Sequence, residues 1–279
     1  MVKIGFLGPK GTFSQEALNQ YTKSRGIEGS CIPYDYNNIS DIIIAVQNGE
    51  LDEAVVPIEN SLEGAVNATM DILATDVDLK IKAEIVISIK QNLLLRKGTN
   101  IKEIKYILSH PQPIGQCRRY IGANFPEAEI IYVYSTAGAA EEVAKGREGA
   151  AAIGSLIAAE VYDLEVAAYS IQDGDNNSTR FVVVAKEDSE RTGTDKTSIV
   201  FSTEDKPGSL YRILDIFSLW DINMTRIESR PAKNKLGKYI FFIDIQGHRE
   251  DDDVRDALVM VQRKTSFYRF LGSYPVYKG

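Results

Sequence analysis

The chain has 279 residues, 44% of them hydrophobic and 25% charged, and its 39 acidic side chains outnumber 32 basic ones for a net charge of −7. That composition excludes a disordered or collagen-like chain. The acidic excess excludes a broad nucleic-acid surface, which needs clustered Lys and Arg.

A chain this long predicts two domains. Up to residue 186, short apolar runs alternate with amphipathic stretches at helical spacing, which is α/β order. Residues 2–7 form the first apolar run, and Thr12 with Gln15 reads as a capping box opening a helix near Phe13. Residues 53–58 predict a strand running into a helix that Asn60 or Ser61 caps. Residues 81–95 read as one or two extended strands where the region divides into two lobes, with a turn at 97–100. Residues 106–109 predict another strand, before a helix with Pro113 at its first position. Ser135 or Thr136, and then Ser155, cap two further helices, and the run 181–185 closes the region.

Residues 187–196 are polar throughout and predict a linker. The remainder, 197–279, reads as strand 197–201, helix 208–220, a hairpin of 222–229 with 239–245 around Lys233 to Gly237, helix 253–264 and strand 268–274. That order, βαββαβ, is ferredoxin-like. No apolar run approaches the roughly 20 residues that span a bilayer. The start also lacks a signal-peptide core, so the expected compartment is the cytoplasm, with no membrane partner. Cys31, Cys117, His110 and His248 are the only cysteines and histidines and lack metal-ligand spacing, which predicts free thiols and no metal site.

Several polar clusters sit where strands end and helices begin, the edge at which α/β folds bind ligands. Residues 8–14, GPKGTFS, lack the Gly-Lys-Ser/Thr order of a phosphate loop, which leaves either a plain helix start or a helix N-terminus offered to a carboxylate. Glu59, Asn60 and Ser61 follow a buried-looking strand, although turn chemistry alone explains Asn and Ser there. Asn176 to Phe181 is the sharpest cluster, joining amides, hydroxyls and a guanidinium at a strand entry suited to an anion. No Ser/His/Asp or Cys/His arrangement for acyl transfer is evident.

Taken in order, GPKGTFSQEA at 8–17, PIENSLEGAVNATMDIL at 57–73, SHPQPIGQC at 109–117, AAIGS at 151–155 and STRF at 178–181 resemble the prephenate dehydratase family. KTSIVFSTEDKPGSLYRIL and IESRP are similar to the ACT domain that family carries. Pro113-Ile114 departs from the small residue commoner after SHPQ, and GSLY replaces the commoner GALY. The resemblance implies a two-lobed catalytic domain at 1–186, like periplasmic binding proteins, followed by a ferredoxin-like ACT domain at 197–279. It implies decarboxylative dehydration of prephenate to phenylpyruvate, water and CO2, without cofactor or metal, because aromatisation drives the step. Thr179 takes the leaving-group role, as an oriented donor or a relay for a proton, with Arg180 and Phe181 shaping the pocket, or Arg180 instead holding the loop through a salt bridge. Thr12, Ser14, Asn60, Ser61 and Gln112 are the implied substrate contacts. Gly208, Ser209, Leu210, Glu228, Ser229, Arg230 and Pro231 are the implied phenylalanine contacts, between ACT domains of a homodimer or homotetramer. Arogenate dehydratase and a non-catalytic solute sensor stay open beside this reading. The first motif starts at residue 8, so no preceding helical mutase domain is expected.

Overall fold

The computed structural model describes residues 1–232 and 239–277. The chain opens with β1 (Val2–Leu7), α1 (Phe13–Ser24), β2 (Cys31–Tyr36), α2 (Ile39–Asn48), β3 (Glu53–Asn60), β4 (Gly64–Ala65), α3 (Asn67–Thr75) and β5 (Lys80–Ser88). It continues through β6 (Asn92–Arg96), β7 (Tyr106–Ser109), α4 (Pro111–Gln116), α5 (Arg118–Asn124), β8 (Glu129–Tyr132), α6 (Thr136–Ala144), β9 (Ala150–Gly154), α7 (Leu156–Val161), β10 (Leu164–Ala168) and β11 (Ser178–Ala185). The last stretch is β12 (Asp195–Ser202), α8 (Ser209–Leu219), β13 (Met224–Pro231), β14 (Tyr239–Gln246), α9 (Asp252–Lys264) and β15 (Phe267–Pro275). The turn expected around Lys233 to Gly237 lies outside the described residues.

Three sheets result. The first has the order β2-β1-β3-β11-β5, with β4 added beside β3, and the second β10-β6-β9-β7-β8. The chain passes from the first sheet to the second between β5 and β6 and returns between β10 and β11, the double crossing of a two-lobed α/β fold. Central strands are apolar without alternation: Ala54 to Val56 and Val182 to Val184 are fully buried, as strands covered on both faces must be. The third sheet, β13-β14-β12-β15, is antiparallel and carries α8 and α9 over a core that includes Ile199, Phe201, Phe217, Ile243 and Val261. The ferredoxin-like βαββαβ reading is therefore borne out. No helix among the described residues is long and apolar enough to cross a membrane.

Two local expectations are corrected. The helix after β3 starts at Asn67 behind Val66, which gives no side-chain cap, so neither Asn60 nor Ser61 caps it. Both side chains are instead engaged with residues 176–179. In α4 the first position belongs to Pro111, not Pro113, because the His110 ring accepts from Gln112 N and makes His110 the cap. Two elements between β1 and β3 went unread. β2 is an edge strand with three exposed residues and an internal Pro33, which hides its period, and α2 is capped by Asn38 Oδ1 on Asp41 N at 2.8 Å.

Packing groups the chain differently from its linear order. One compact unit comprises Met1–Ile42, Val55–Gly64 and Val86–Phe181; the other comprises Ile43–Ala54, Ala65–Ile85 and Val182–Gly279. Within the second unit, Lys196 Nζ lies 2.9 Å from both oxygens of Glu84, whose side chain is 3% exposed. A carboxylate so buried requires that partner. Arg230 holds Asp71 at 2.8 Å, and Arg269 Nη1 donates to the carbonyls of Leu73 and Val77 at the end of α3. Gly272, at φ +138°, brings β15 against the backbone of β5, so that an added Cβ would lie 2.8 Å from Ile81 N and nearer still to its carbonyl.

Gly272→Ala should therefore cost about 1–2 kcal/mol in backbone strain and about 1–3 kcal/mol more in overlap. Gly26, at φ +65° with open space around it, supplies the strain-only control as Gly26→Ala. Thermal unfolding should place the Gly272→Ala midpoint well below that of Gly26→Ala; equal midpoints would show that Ile81 yields freely.

Candidate active site and effector site

The end of β3 and the start of β11 are clamped by side chains rather than by the ladder alone. Ser61 N donates to Ser178 O at 2.9 Å, Ser178 N donates to Ser61 Oγ at 2.9 Å, and Ser61 Oγ donates to Asn176 O at 2.8 Å. Asn60 forms an Asx turn, its Oδ1 accepting from Leu62 N at 2.9 Å and Glu63 N at 3.0 Å. The amide nitrogen therefore faces the other way. It donates to Thr179 Oγ1 and to Asn177 Oδ1, both at 2.8 Å. Because Thr179 Oγ1 accepts from Asn60, its own proton is turned away from that amide and left to donate to another group.

Beside this pair lies a cavity of about 250 Å³ between Leu62, Gln116, Asn177 and the 172–176 turn. Gln116 closes it at the end of α4. Its Oε1 accepts from Asn177 Nδ2 at 3.3 Å and from Gln91 Nε2 at 3.4 Å. Gln91 and Gln116 were not singled out in the sequence, and Asn177 was named only as one of the amides of the 176–181 cluster. A signal existed for Gln116, which stands one helical turn after Gln112 inside SHPQPIGQC.

The other expected contacts divide. Arg180 Nε lies 3.3 Å from Glu59, so its guanidinium braces β3 against β11. Phe181 is 2% exposed and belongs to the core. Thr12 is the α1 cap, its hydroxyl donating to Leu7 O at 2.9 Å and accepting from Gln15 N at 3.4 Å. Gln15 completes the box one residue early, accepting from Gly11 N at 2.6 Å. Ser14 is buried at 7% in the first turn of α1. The loop before α1 is anchored on the two caps of α7: Ser155 Oγ donates to Gly11 O at 2.7 Å, and Tyr162 Oη to Lys10 O at 3.0 Å. Burial raises the Glu16 carboxyl above its ordinary range, with Glu160 adding to the effect. Gln112 is half-buried in the first turn of α4. The structure thus brings Asn60, Ser61 and Thr179 together, while Thr12 and Ser14 stand at the start of α1. Among the described residues no group of three or more His, Cys, Asp or Glu is placed to hold a metal ion.

In the C-terminal sheet, Gly208 at φ +78° opens α8 without a side-chain cap. A pocket of about 360 Å³ there is lined by Thr203 to Lys206, Gly208 to Tyr211, Tyr239 and Phe241. Gly208, Ser209 and Leu210 therefore share one pocket. Glu228 to Pro231 lie on β13, opposite Phe242 to Tyr239 of β14, and are not among its lining residues; Arg230 is taken by Asp71 and Asn67.

Comparison with known proteins decides the family. A family model described as prephenate dehydratase matches residues 4–189, and one described as ACT domain matches 197–259. The chain belongs to the prephenate dehydratase family. It is 42% identical over 274 residues to the bifunctional chorismate mutase/prephenate dehydratase of Aquifex aeolicus, covering 98% of this chain and 74% of that one. It is 37% identical to the prephenate dehydratase of Mycolicibacterium vanbaalenii, covering 99% and 91%. The prephenate dehydratase of Arthrobacter aurescens, solved in complex with L-Phe, superposes with a TM-score of 0.88 at 40% identity, covering 99% and 90%.

The cysteines give a check on the wall of the cavity. Cys117, which ends α4, is fully buried, and burial, aided by the Asp173 carboxylate, pushes its thiol up to about 12. At pH 8 it stays protonated and unreactive. A thiol reagent should therefore modify Cys31 alone in the native protein and both cysteines after denaturation. Prompt native modification of Cys117 would show that the junction of α4 and α5 opens.

Proposed function

We propose that the chain is a prephenate dehydratase that converts prephenate to phenylpyruvate, water and CO2, and that phenylalanine regulates it through the ACT domain. The observation that carries the catalytic half is the bond from Asn60 Nδ2 to Thr179 Oγ1 at 2.8 Å, which leaves the Thr179 O–H as the one end of that hydroxyl able to donate. Loss of the ring carboxylate sends electrons toward C4 and expels the hydroxyl there, while aromatisation drives the step. What the protein must add is a preorganised donor on the departing oxygen and a site from which water is kept away. Thr179, at 9% exposure, meets both needs. A threonine is a poor acid, so it stabilises the leaving hydroxide by hydrogen bonding and relays a proton from a neighbour.

Thr179→Val keeps the side-chain shape and deletes the donor, so turnover of prephenate should fall about 10²–10³-fold. Thr179→Ser should retain more. Phenylpyruvate absorbance reads both; near-normal turnover by folded Thr179→Val removes Thr179 from the mechanism. Wild-type protein that turns over arogenate and not prephenate would reassign the substrate, and protein that binds either without turnover would be a sensor.

The regulatory half is supported by the pocket at Gly208 to Tyr211 and by the L-Phe bound in the Arthrobacter aurescens protein. The uncapped first turn of α8 suits the ligand carboxylate. Glu228, on β13, suits the ammonium when supplied across a subunit interface, which calls for a homodimer or homotetramer. Phenylalanine should inhibit, with a coupling of about 1–3 kcal/mol that shifts apparent substrate affinity roughly 5–150-fold. Glu228→Ala in the full chain should raise the phenylalanine concentration needed for half inhibition. Turnover indifferent to phenylalanine would overturn this half and leave the catalytic half standing.

A further inference from the structure

We propose that Asn177 is a positioning residue for the dehydration, one carboxamide that sets both the donor direction of Thr179, through Asn60, and the orientation of the Gln116 amide. The inference rests on the function proposed above. Asn177 is 4% exposed and sits in the return crossing from β10 to β11. Its backbone carbonyl accepts from Ile89 N at 2.8 Å, in the outward crossing, so its position is fixed before its side chain is considered.

The direction of each bond follows from main-chain donors, which admit one reading. Leu62 N and Glu63 N can only donate, so Asn60 Oδ1 must face them and Asn60 Nδ2 must face Asn177 and Thr179. Amide orientation, often a matter of choice, is here forced. Asn177 therefore presents Oδ1 to Asn60 at 2.8 Å and Nδ2 to Gln116 Oε1 at 3.3 Å. Gln91 Nε2 takes the same Gln116 oxygen at 3.4 Å. With Oε1 engaged twice, the nitrogen of Gln116 is the end it offers to the cavity it lines. Asn177 thus ties Asn60 on β3 to Gln116 on α4 and carries the forced polarity from one wall of the site to the other. Gln91, 2% exposed, leaves its Oε1 without a hydrogen-bond partner, a cost that a packed core does not keep for stability alone.

The test is a double-mutant cycle on the full chain with prephenate. Asn177→Ala should lower kcat about 10–100-fold, the size of effect expected when a donor is displaced and not deleted, with a smaller change in KM. On a Thr179→Val background, where no hydroxyl remains to be oriented, the same substitution should cost less than about threefold, so the losses are not additive. A residue that only held the crossing together would give the same fold-loss in both backgrounds. Asn177→Leu fills the volume without hydrogen bonds and supplies the same two comparisons if Asn177→Ala does not fold. Unchanged kcat, or additive losses, overturns the role of Asn177 while wild-type turnover upholds the function; absence of wild-type turnover overturns both.

Discussion

A backbone that leaves one sheet for another must satisfy its polar groups on the way, and this chain does so twice in the same place. The outward segment after β5 and the return segment before β11 satisfy one another: Ile89 N donates to Asn177 O, and Ile171 N to Gln91 O, both at 2.8 Å. Where no main-chain partner is available, amide side chains serve. Gln172 Oε1 accepts from Gln91 N at 3.0 Å, and Asn92 Oδ1 accepts from Ser170 N at 3.1 Å. The abundance of Asn and Gln around Thr179 follows from this need. A site that stabilises a leaving hydroxide by oriented neutral donors is what such a crossing has to offer, and its chemistry is continuous with its architecture.

Strands buried on both faces were legible in the sequence because continuous apolar runs such as Val182 to Val184 need no period to be recognised. The C-terminal βαββαβ order was legible for the related reason that its helices are strongly amphipathic and its central strands, β12 and β14, carry apolar runs. Asn60 was less legible, since Asn after a strand serves equally as a helix cap or as an Asx turn, and only the position of residues 177–179, more than a hundred residues later, decides between them. The same holds for Gln91 and Asn177, whose roles are set by partners distant in sequence. Thr179 and Asn60 were found through motif order. Arg180, adjacent in the same motif, makes the salt bridge that was its alternative reading, to Glu59, and Phe181 is buried.

The second compact unit bears on when the protein can become itself. Met70, Leu73, Val77, Leu79 and Ile81, all buried, leave the ribosome well before the strands that cover them, and Glu84 precedes its partner Lys196 by 112 residues. At about 5–20 residues per second that interval is on the order of ten seconds. Throughout it the stretch 65–85 carries a carboxylate destined for burial without the lysine that pairs with it. The final strand, β15, which Gly272 allows to meet Ile81, is added only in the last moments of synthesis. The second unit, built from Ile43–Ala54, Ala65–Ile85 and Val182–Gly279, is thus completed only when the C-terminal strands exist, whereas every residue of the first has been made by Phe181.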